Sequence, residues 1–121
     1  MDYLFLLEAV VITVAETSEF IKKAKKLLSD EDRQELVSYL SAHPTTGAIL
    51  EGTGGIRKLR WARQGKGKSG GVRAIYLFYN EGMPLYALTI YGKGEKDNLS
   101  QAERNELAKL VGILIAYWRN R

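Results

Sequence analysis

The sequence has no cysteine and only one histidine, His43, among its 121 residues. Without cysteine there is no disulfide scaffold, and without a Cys/His cluster there is no zinc site of the usual kind, so a reducing cytoplasm is the expected compartment. A lone histidine beside Pro44 also lacks the partner that a histidine-activated nucleophile needs. We therefore expect neither a metal nor another cofactor.

Long apolar runs are missing as well. No segment reaches the ~20 apolar residues that span a bilayer. The apolar start, MDYLFLLEAVVITVAE, lacks the basic region of a signal peptide. Its character changes near Val10, so residues 1–9 are predicted to be a dispensable N-terminal extension and residues 10–121 a single domain. No membrane partner is expected.

Positive charge is concentrated in one stretch of the chain. The sequence carries 18 basic and 14 acidic residues, yet residues 57–73 hold seven cations and no acid, so the remainder is net negative. Because like charges on paired strands repel, this segregation favours a site for a polyanion over a merely solvated hairpin. The seven cations are Arg57, Lys58, Arg60, Arg63, Lys66, Lys68 and Arg73.

Hydrophobic periodicity predicts one α+β domain in the order β-α-α-β-β-β-α, with helices packed on an antiparallel meander. Capping signals at Thr17 or Ser18, at Ser29 and at Ser100 mark the starts of three helices, the last with a capping box. Residues 44–55 are predicted to be a loop. The predicted strands are Val10–Val14, Ile56–Arg63, Val72–Asn80 and Pro84–Tyr91.

The stretch GKGKSGG, residues 65–71, matches two nucleotide-binding patterns. It fits G-x-G-x-x-G and, read from Ala62, the looser phosphate loop [AG]-x-x-x-x-G-K-[ST]. Both patterns need a helix directly after the glycines, because the helix N-terminus holds the phosphate. Since a strand is predicted there, we interpret the stretch as a hairpin loop whose Lys66 and Lys68 supply positive charge.

Strand alternation assembles a candidate site from the cations. Lys58 and Arg60 share one face of their strand, whereas Leu59 and Trp61 point to the helices on the other face. Arg73 is predicted to be an exposed residue at the start of the next strand, beside the glycine stretch. An antiparallel meander brings these cations to one open surface.

Tyr91 and Lys93 complete this surface at the end of the last strand. Several cations and one phenol suit a phosphodiester, because guanidinium groups clamp phosphate oxygens in bidentate fashion. Crowded positive charge disfavours the protonated form of a lysine, so Lys58 can serve as a general base. RNA supplies its own nucleophile, the 2′-hydroxyl, and such a nuclease needs no metal.

The order of elements and two segments, GTGGIRKLRWARQGKGKSGGVRAIYLFY and LTIYGKGEKDNLSQAE, resemble the RelE/HigB toxins of bacterial toxin–antitoxin pairs, HigB-type members above all. The resemblance covers roughly residues 10–118. It implies a ribosome-dependent mRNA endonuclease that cuts in the A site by 2′-hydroxyl attack. It also implies mRNA and the small ribosomal subunit as targets, and a protein antitoxin, often of helix-turn-helix type, as partner.

The resemblance also implies roles for individual residues. Arg73 is similar to the arginine that stabilises the scissile phosphate. Tyr91 matches a HigB-type tyrosine, whereas the RelE tyrosine falls at Ser100, so proton transfer, base stacking and packing all stay open for Tyr91. The implied catalytic set is Lys58, Arg60, Arg73, Tyr91 and Lys93. The set assigned to RNA or ribosome binding is Arg57, Arg63, Lys66, Lys68 and Lys96.

Two alternatives from other functional classes fit the same charge pattern. One is a non-catalytic RNA-binding module, and the other is a ParE-like inhibitor of DNA gyrase, a family that shares the fold. The retained trio of Lys58, Arg60 and Arg73 favours RNA cleavage over both.

Overall fold

The computed structural model describes residues 12–63, 67–96 and 98–121, and for residues 63 and 67–70 it describes the backbone. The predicted extension, residues 1–9, lies outside the described residues. The strands are β1 (Val14–Glu16), β2 (Ala48–Ile49), β3 (Ile56–Arg63), β4 (Gly67–Leu77) and β5 (Leu85–Gly92). The helices in the described ranges are α1 (Ser18–Leu27), α2 (Asp30–Ala42) and α3 (Gln101–Arg119).

The three helices begin where the capping signals predict. The side chains of Thr17, Ser29 and Ser100 each accept a hydrogen bond from the backbone amide three residues further on. At Ser100 the carboxylate of Glu103 also accepts a hydrogen bond from the Ser100 amide, which completes the capping box. Each cap stabilises its helix by about 1 kcal/mol because it satisfies an otherwise unpaired amide.

The five strands form one sheet in the order β1-β5-β4-β3-β2. Strands β2 to β5 run antiparallel, as the predicted meander requires, and the α+β class is confirmed. Two features differ from the prediction. Strand β1 pairs with β5 in parallel, and β2 lies inside residues 44–55, which were predicted to be a loop. A strand of two residues is too short to show an alternating pattern.

Several strand boundaries also differ from the prediction. The described part of the first strand begins at Val14, where the prediction had placed its end. Strand β4 begins at Gly67, five residues before the predicted start at Val72, and ends at Leu77. The predicted start of β4 was wrong because its glycines are strand residues. The nucleotide-binding patterns therefore run into a strand, and no helix N-terminus follows them.

Gly71 shows why glycine is needed in β4. A Cβ at this position would collide with the carbonyl oxygen of Trp61 on the neighbouring strand. The register between β3 and β4 shifts here, between Trp61 and Arg63, as in a β-bulge. Only a residue without a side chain allows the two backbones to approach so closely.

Helices cover both faces of the sheet. On one face α1 and α2 bury Phe20 and Leu40 against Tyr76, and Leu59 and Trp61 of β3 pack on this cluster, as alternation predicts. The opposite face is covered by α3. The residues of α3 that pack there are Leu107, Leu110, Val111, Leu114, Ile115 and Trp118.

Candidate nucleic-acid active site

Three predicted site residues form a row across the middle of the sheet. Arg60 on β3 lies opposite Arg73 on β4, and Arg73 lies opposite Tyr91 on β5. Directly opposed residues on antiparallel strands have Cβ atoms about 4.5–5.5 Å apart. Arg60, Arg73 and Tyr91, called the cross-strand row below, thus share the sheet face on which α3 packs.

The arginines of this row have no acidic partner among the described residues. In the described part of the chain, neither Arg60 nor Arg73 forms an ion pair with a carboxylate. Nη1 of Arg73 donates a hydrogen bond of 3.4 Å to the carbonyl of Val72. Two guanidiniums that face each other repel, and an anion between them would relieve this repulsion.

Arg73 is not the exposed strand-end residue that the sequence predicted. It lies in the interior of β4 and is 7% exposed. The prediction was wrong because β4 starts at Gly67 and so places six residues before this arginine. A buried charge without a paired carboxylate is unfavourable for folding, which is the pattern expected where a residue serves a ligand. Arg60, in contrast, is exposed.

Lys58 lies one row further along the same face, two residues before Arg60. It pairs with Ile75 of β4 and is half-buried. Its Nζ donates a hydrogen bond of 2.9 Å to Oδ1 of Asn98, in the segment between β5 and α3. The ammonium therefore has a fixed neighbour and does not extend freely into solvent.

Tyr91 forms the end of the cross-strand row on β5. It is 2% exposed and belongs to the hydrophobic cluster under α3. The ammonium of Lys96 lies 5.0 Å from its ring centroid, within the range of a cation–π contact. A phenol so enclosed favours packing among the three roles left open for Tyr91, although its role stays a prediction.

Lys96 is also held by an ion pair with Glu103, the third residue of α3. The hydrogen bond from Lys96 lowers the pKa of the Glu103 carboxyl, and the hydrogen bond from the Ser100 amide lowers it further. One carboxylate thus joins Lys96, the capping box and, through Lys96, the ring of Tyr91. Lys96, which the sequence analysis assigned to RNA binding, thus has an intramolecular partner. Its contact with RNA stays a prediction.

The remaining predicted cations lie around or away from the row. Lys93 is exposed, and its backbone amide bonds to the carbonyl of Gly71, which extends the β4–β5 ladder by one step. Arg57 lies on the opposite face of β3, where Nη1 donates to the carbonyls of Thr45 and Gly47 at 3.1 and 2.8 Å. The structure does not bring Arg57 to the row. The side chains of Arg63, Lys66 and Lys68 lie outside the described residues.

Sequence reasoning missed two contributors to this site, Asn98 and the contact of Glu103 with Lys96. Asn98 lies within the segment LTIYGKGEKDNLSQAE, and it is 40 positions from Lys58 in the sequence. Glu103 was recognisable only as half of the capping box. Glu95, in the same segment, stabilises the local backbone, because its carboxylate accepts a hydrogen bond of 3.0 Å from the Gly92 amide.

The arrangement suits an anion of the phosphate class. Among the described residues, no three His, Cys, Asp or Glu side chains gather as a metal site would require. Within the same residues, no helix is long and apolar enough to cross a membrane. The row offers two guanidiniums, one of them exposed, with an amine one row away, and these groups bind phosphodiester oxygens.

Comparison with known protein families identifies the family of the chain. Residues 12–120 match the family described as the RelE toxin of the RelE/RelB toxin–antitoxin system. The chain belongs to the RelE toxin family. Membership indicates that it is the toxin of a toxin–antitoxin pair and implies an antitoxin protein as its partner. The match spans all elements of the sheet and helices described above, and it includes every residue of the cross-strand row.

Proposed function

We propose that this chain is an endoribonuclease that cleaves mRNA in the ribosomal A site by attack of the 2′-hydroxyl on the adjacent phosphorus. The observation that carries the proposal is the pair of opposed guanidiniums, Arg60 and Arg73, neither of which is ion-paired within the described residues. A pentavalent phosphorus carries more negative charge than the ground state, so fixed guanidiniums stabilise the transition state selectively.

The chemistry needs one base and one proton donor besides these arginines. Lys58, in its neutral form, takes the proton from the 2′-hydroxyl as the new oxygen–phosphorus bond forms. The bond between phosphorus and the 5′-oxygen breaks, and this oxygen takes up a proton from the exposed ammonium of Lys93. The products are a 2′,3′-cyclic phosphate and a 5′-hydroxyl.

The shape of the site supports a dependence on the ribosome. The cross-strand row lies on a sheet face and its exposed member is Arg60, so the protein alone offers few contacts that would orient a flexible RNA strand. In-line attack requires near-attack geometry, which accounts for much of the rate in such reactions. We propose that the ribosome supplies this geometry and that Arg63, Lys66 and Lys68 add contacts to its RNA.

The test uses purified protein with mRNA in the presence and absence of ribosomes, read by primer extension. We expect cuts within A-site codons only with ribosomes, and a 2′,3′-cyclic phosphate at the new end. A 2′-deoxy nucleotide at the cut position should abolish cleavage there, because the nucleophile is missing, and should leave cleavage at other positions unchanged. Growth arrest with intact mRNA and inhibited gyrase would replace the proposal with the ParE-like alternative. Binding without cutting would favour the RNA-binding module.

The antitoxin part of the proposal is that the partner carries a helix-turn-helix DNA-binding domain. Coexpression of such a protein encoded next to this chain should restore growth and copurify with it. An adjacent gene product of another class that neutralises the toxin would overturn this part alone.

A further inference from the structure

The segment after β5 crosses back over the face that carries the cross-strand row. Its start is fixed by hydrogen bonds in both directions between Gly92 and Glu95, each 3.0 Å long. Its end is the capping box at Ser100. Between these anchors, the amide oxygen of Asn98 accepts the 2.9 Å hydrogen bond from Nζ of Lys58.

We infer that Asn98 is the positioning residue for Lys58, an inference that rests on the proposed function. A lysine amine is carried on a flexible four-carbon stem, whereas a general base must stay within hydrogen-bond reach of the proton that it abstracts. One hydrogen bond from Nζ to a residue on a doubly anchored segment restricts the amine to the edge of the row. Asn98 acts through Lys58 and is not itself placed on the RNA.

The chemistry of the amide fits this task better than a carboxylate would. A neutral acceptor can hold an N–H of the amine in either protonation state, which leaves the nitrogen lone pair available for the 2′-hydroxyl proton. A carboxylate at the same place would favour the charged ammonium and so weaken the base. Asn98 therefore fixes the position of Lys58 without adding a negative charge beside it.

Other ionisable groups on this face influence Lys58 in every variant equally. They come from the neighbouring strands, from the segment after β5 and from the start of α3. Among the described residues they are Arg60, Arg73, Tyr91, Lys93, Glu95, Lys96 and Glu103. A comparison between variants at position 98 leaves all of them unchanged, so a difference in pH dependence reports on position 98 itself.

A double-mutant cycle tests the inference. Asn98→Ala should lower the ribosome-dependent cleavage rate roughly tenfold, the size expected for one charge-assisted hydrogen bond. In a Lys58→Ala background the same change should have no further effect, because the group that it positions is gone. An equal loss in both backgrounds would overturn the inference and give Asn98 a separate role. A wild-type protein that does not cleave would overturn the proposed function and this inference together.

The pH dependence of the cleavage rate is a second measurement, and it would not change if Asn98 had only a structural role. In Asn98→Asp, the pH of half-maximal rate should move upward, because the carboxylate favours the protonated amine. Asn105→Ala is the matched control, since Asn105 on α3 also accepts a side-chain hydrogen bond, from Gln101 at 3.0 Å. It should leave both rate and profile unchanged. Coincident profiles of Asn98→Asp and the wild type would overturn the inference even if Lys58 proved essential.

Discussion

The two faces of strand β3 use their arginines in opposite ways. Arg57 faces the side covered by α1 and α2, and its guanidinium binds the carbonyls of Thr45 and Gly47, so it clamps the chain that leads into β2. Arg60 faces the other side, is exposed, and has no ion pair in the described part of the chain. The two arginines are three residues apart, yet only Arg57 of the two donates to backbone carbonyls in the described part of the chain, whereas Arg60 is exposed on the face of the proposed site.

The difference shows that basic residues in one stretch of sequence can have different surroundings and different roles. Both arginines belong to the same cationic stretch, yet only the alternation of the strand separates them. Arg60 stands opposite another arginine, an arrangement that is unfavourable for stability and useful for an anionic ligand. The sharpest tests therefore compare the two faces within one chain.

The largest expected effect belongs to Arg73, the buried member of the cross-strand row. Arg73→Ala should lower the cleavage rate on the ribosome by on the order of 10²–10³, the usual loss when one donor to a developing charge is removed. The measurement is the single-turnover rate with saturating ribosomes. Because Arg73 is 7% exposed, its removal can also affect folding, so a thermal melt must accompany the rate.

Arg73→Lys supplies the control for this experiment. It keeps the charge and most of the buried stem but loses the planar fork that binds two phosphate oxygens. We expect it to melt close to the wild type and still cleave poorly. Full activity in Arg73→Lys would show that this site needs only a point charge, and full activity in Arg73→Ala would remove the arginine from the mechanism.

The next effect separates the two faces directly. Arg57→Ala should lower the free energy of unfolding by roughly 1–3 kcal/mol, because two carbonyls lose a charged donor. The buried Nε of Arg57 has no hydrogen-bond partner, so its removal offsets part of this loss. The cleavage rate per folded molecule should stay unchanged. A clear loss of rate would restore Arg57 to the RNA-binding set that the sequence predicts.

Arg60→Ala should give the reverse result. Its unfolding free energy should stay the same or rise slightly, since the repulsion with Arg73 is relieved, while cleavage slows. Chemical denaturation and single-turnover cleavage, measured on both variants side by side, check the pair. If both variants lost only stability, the distinction between the two faces would not hold.

Much of the fold could be predicted because its signals are local. The caps at Ser29 and Ser100 follow from short-range hydrogen bonding, and β3 has the predicted limits because its alternation is regular. Strand β2 could not be predicted, because its two residues become a strand only by pairing with β3. The parallel pairing of β1 with β5 joins distant segments and leaves no mark in either one.

The shared face of three candidate residues was predictable, but their environment was not. Alternation and the short connections place Arg60, Arg73 and Tyr91 on one surface, as observed. The burial of Arg73 depends on residues 67–71 belonging to β4, where Gly71 allows the close approach to β3. The glycine-rich composition of these residues had predicted a loop. The bond from Lys58 to Asn98 depends on how the segment after β5 folds back.

A smaller effect should be seen at the acidic contact next to the row. Since the pKa of Glu103 is lowered by Lys96 and Ser100, its contribution to stability is complete above its ordinary pKa and is lost as pH falls through the lowered value. Glu103→Gln keeps the capping box but removes the charge. The difference in unfolding free energy should stay below about 1 kcal/mol at neutral pH, since both partners are partly exposed.

Urea denaturation of the wild type and Glu103→Gln at pH 7 and at pH about 3 checks this expectation. The two proteins should differ at the higher pH and converge at the lower one. A difference that persists in acid would mean that the amide disturbs the capping box itself and that the charge is not responsible.

The smallest effect should come from the lysines of the glycine stretch. Lys66→Ala plus Lys68→Ala should leave the cleavage rate at saturation unchanged but reduce the salt dependence of binding by roughly 1–2 units, because each phosphate contact to a single strand contributes about 0.7. The measurement is the affinity for ribosomes that carry 2′-deoxy-blocked mRNA, between about 50 and 200 mM salt. Lys22→Ala plus Lys26→Ala is the matched control, since both lysines are exposed on α1 and the net charge changes equally. If both double variants lost the same slope, total charge and not this stretch would govern binding. An unchanged slope in the first would exclude Lys66 and Lys68 from the RNA footprint.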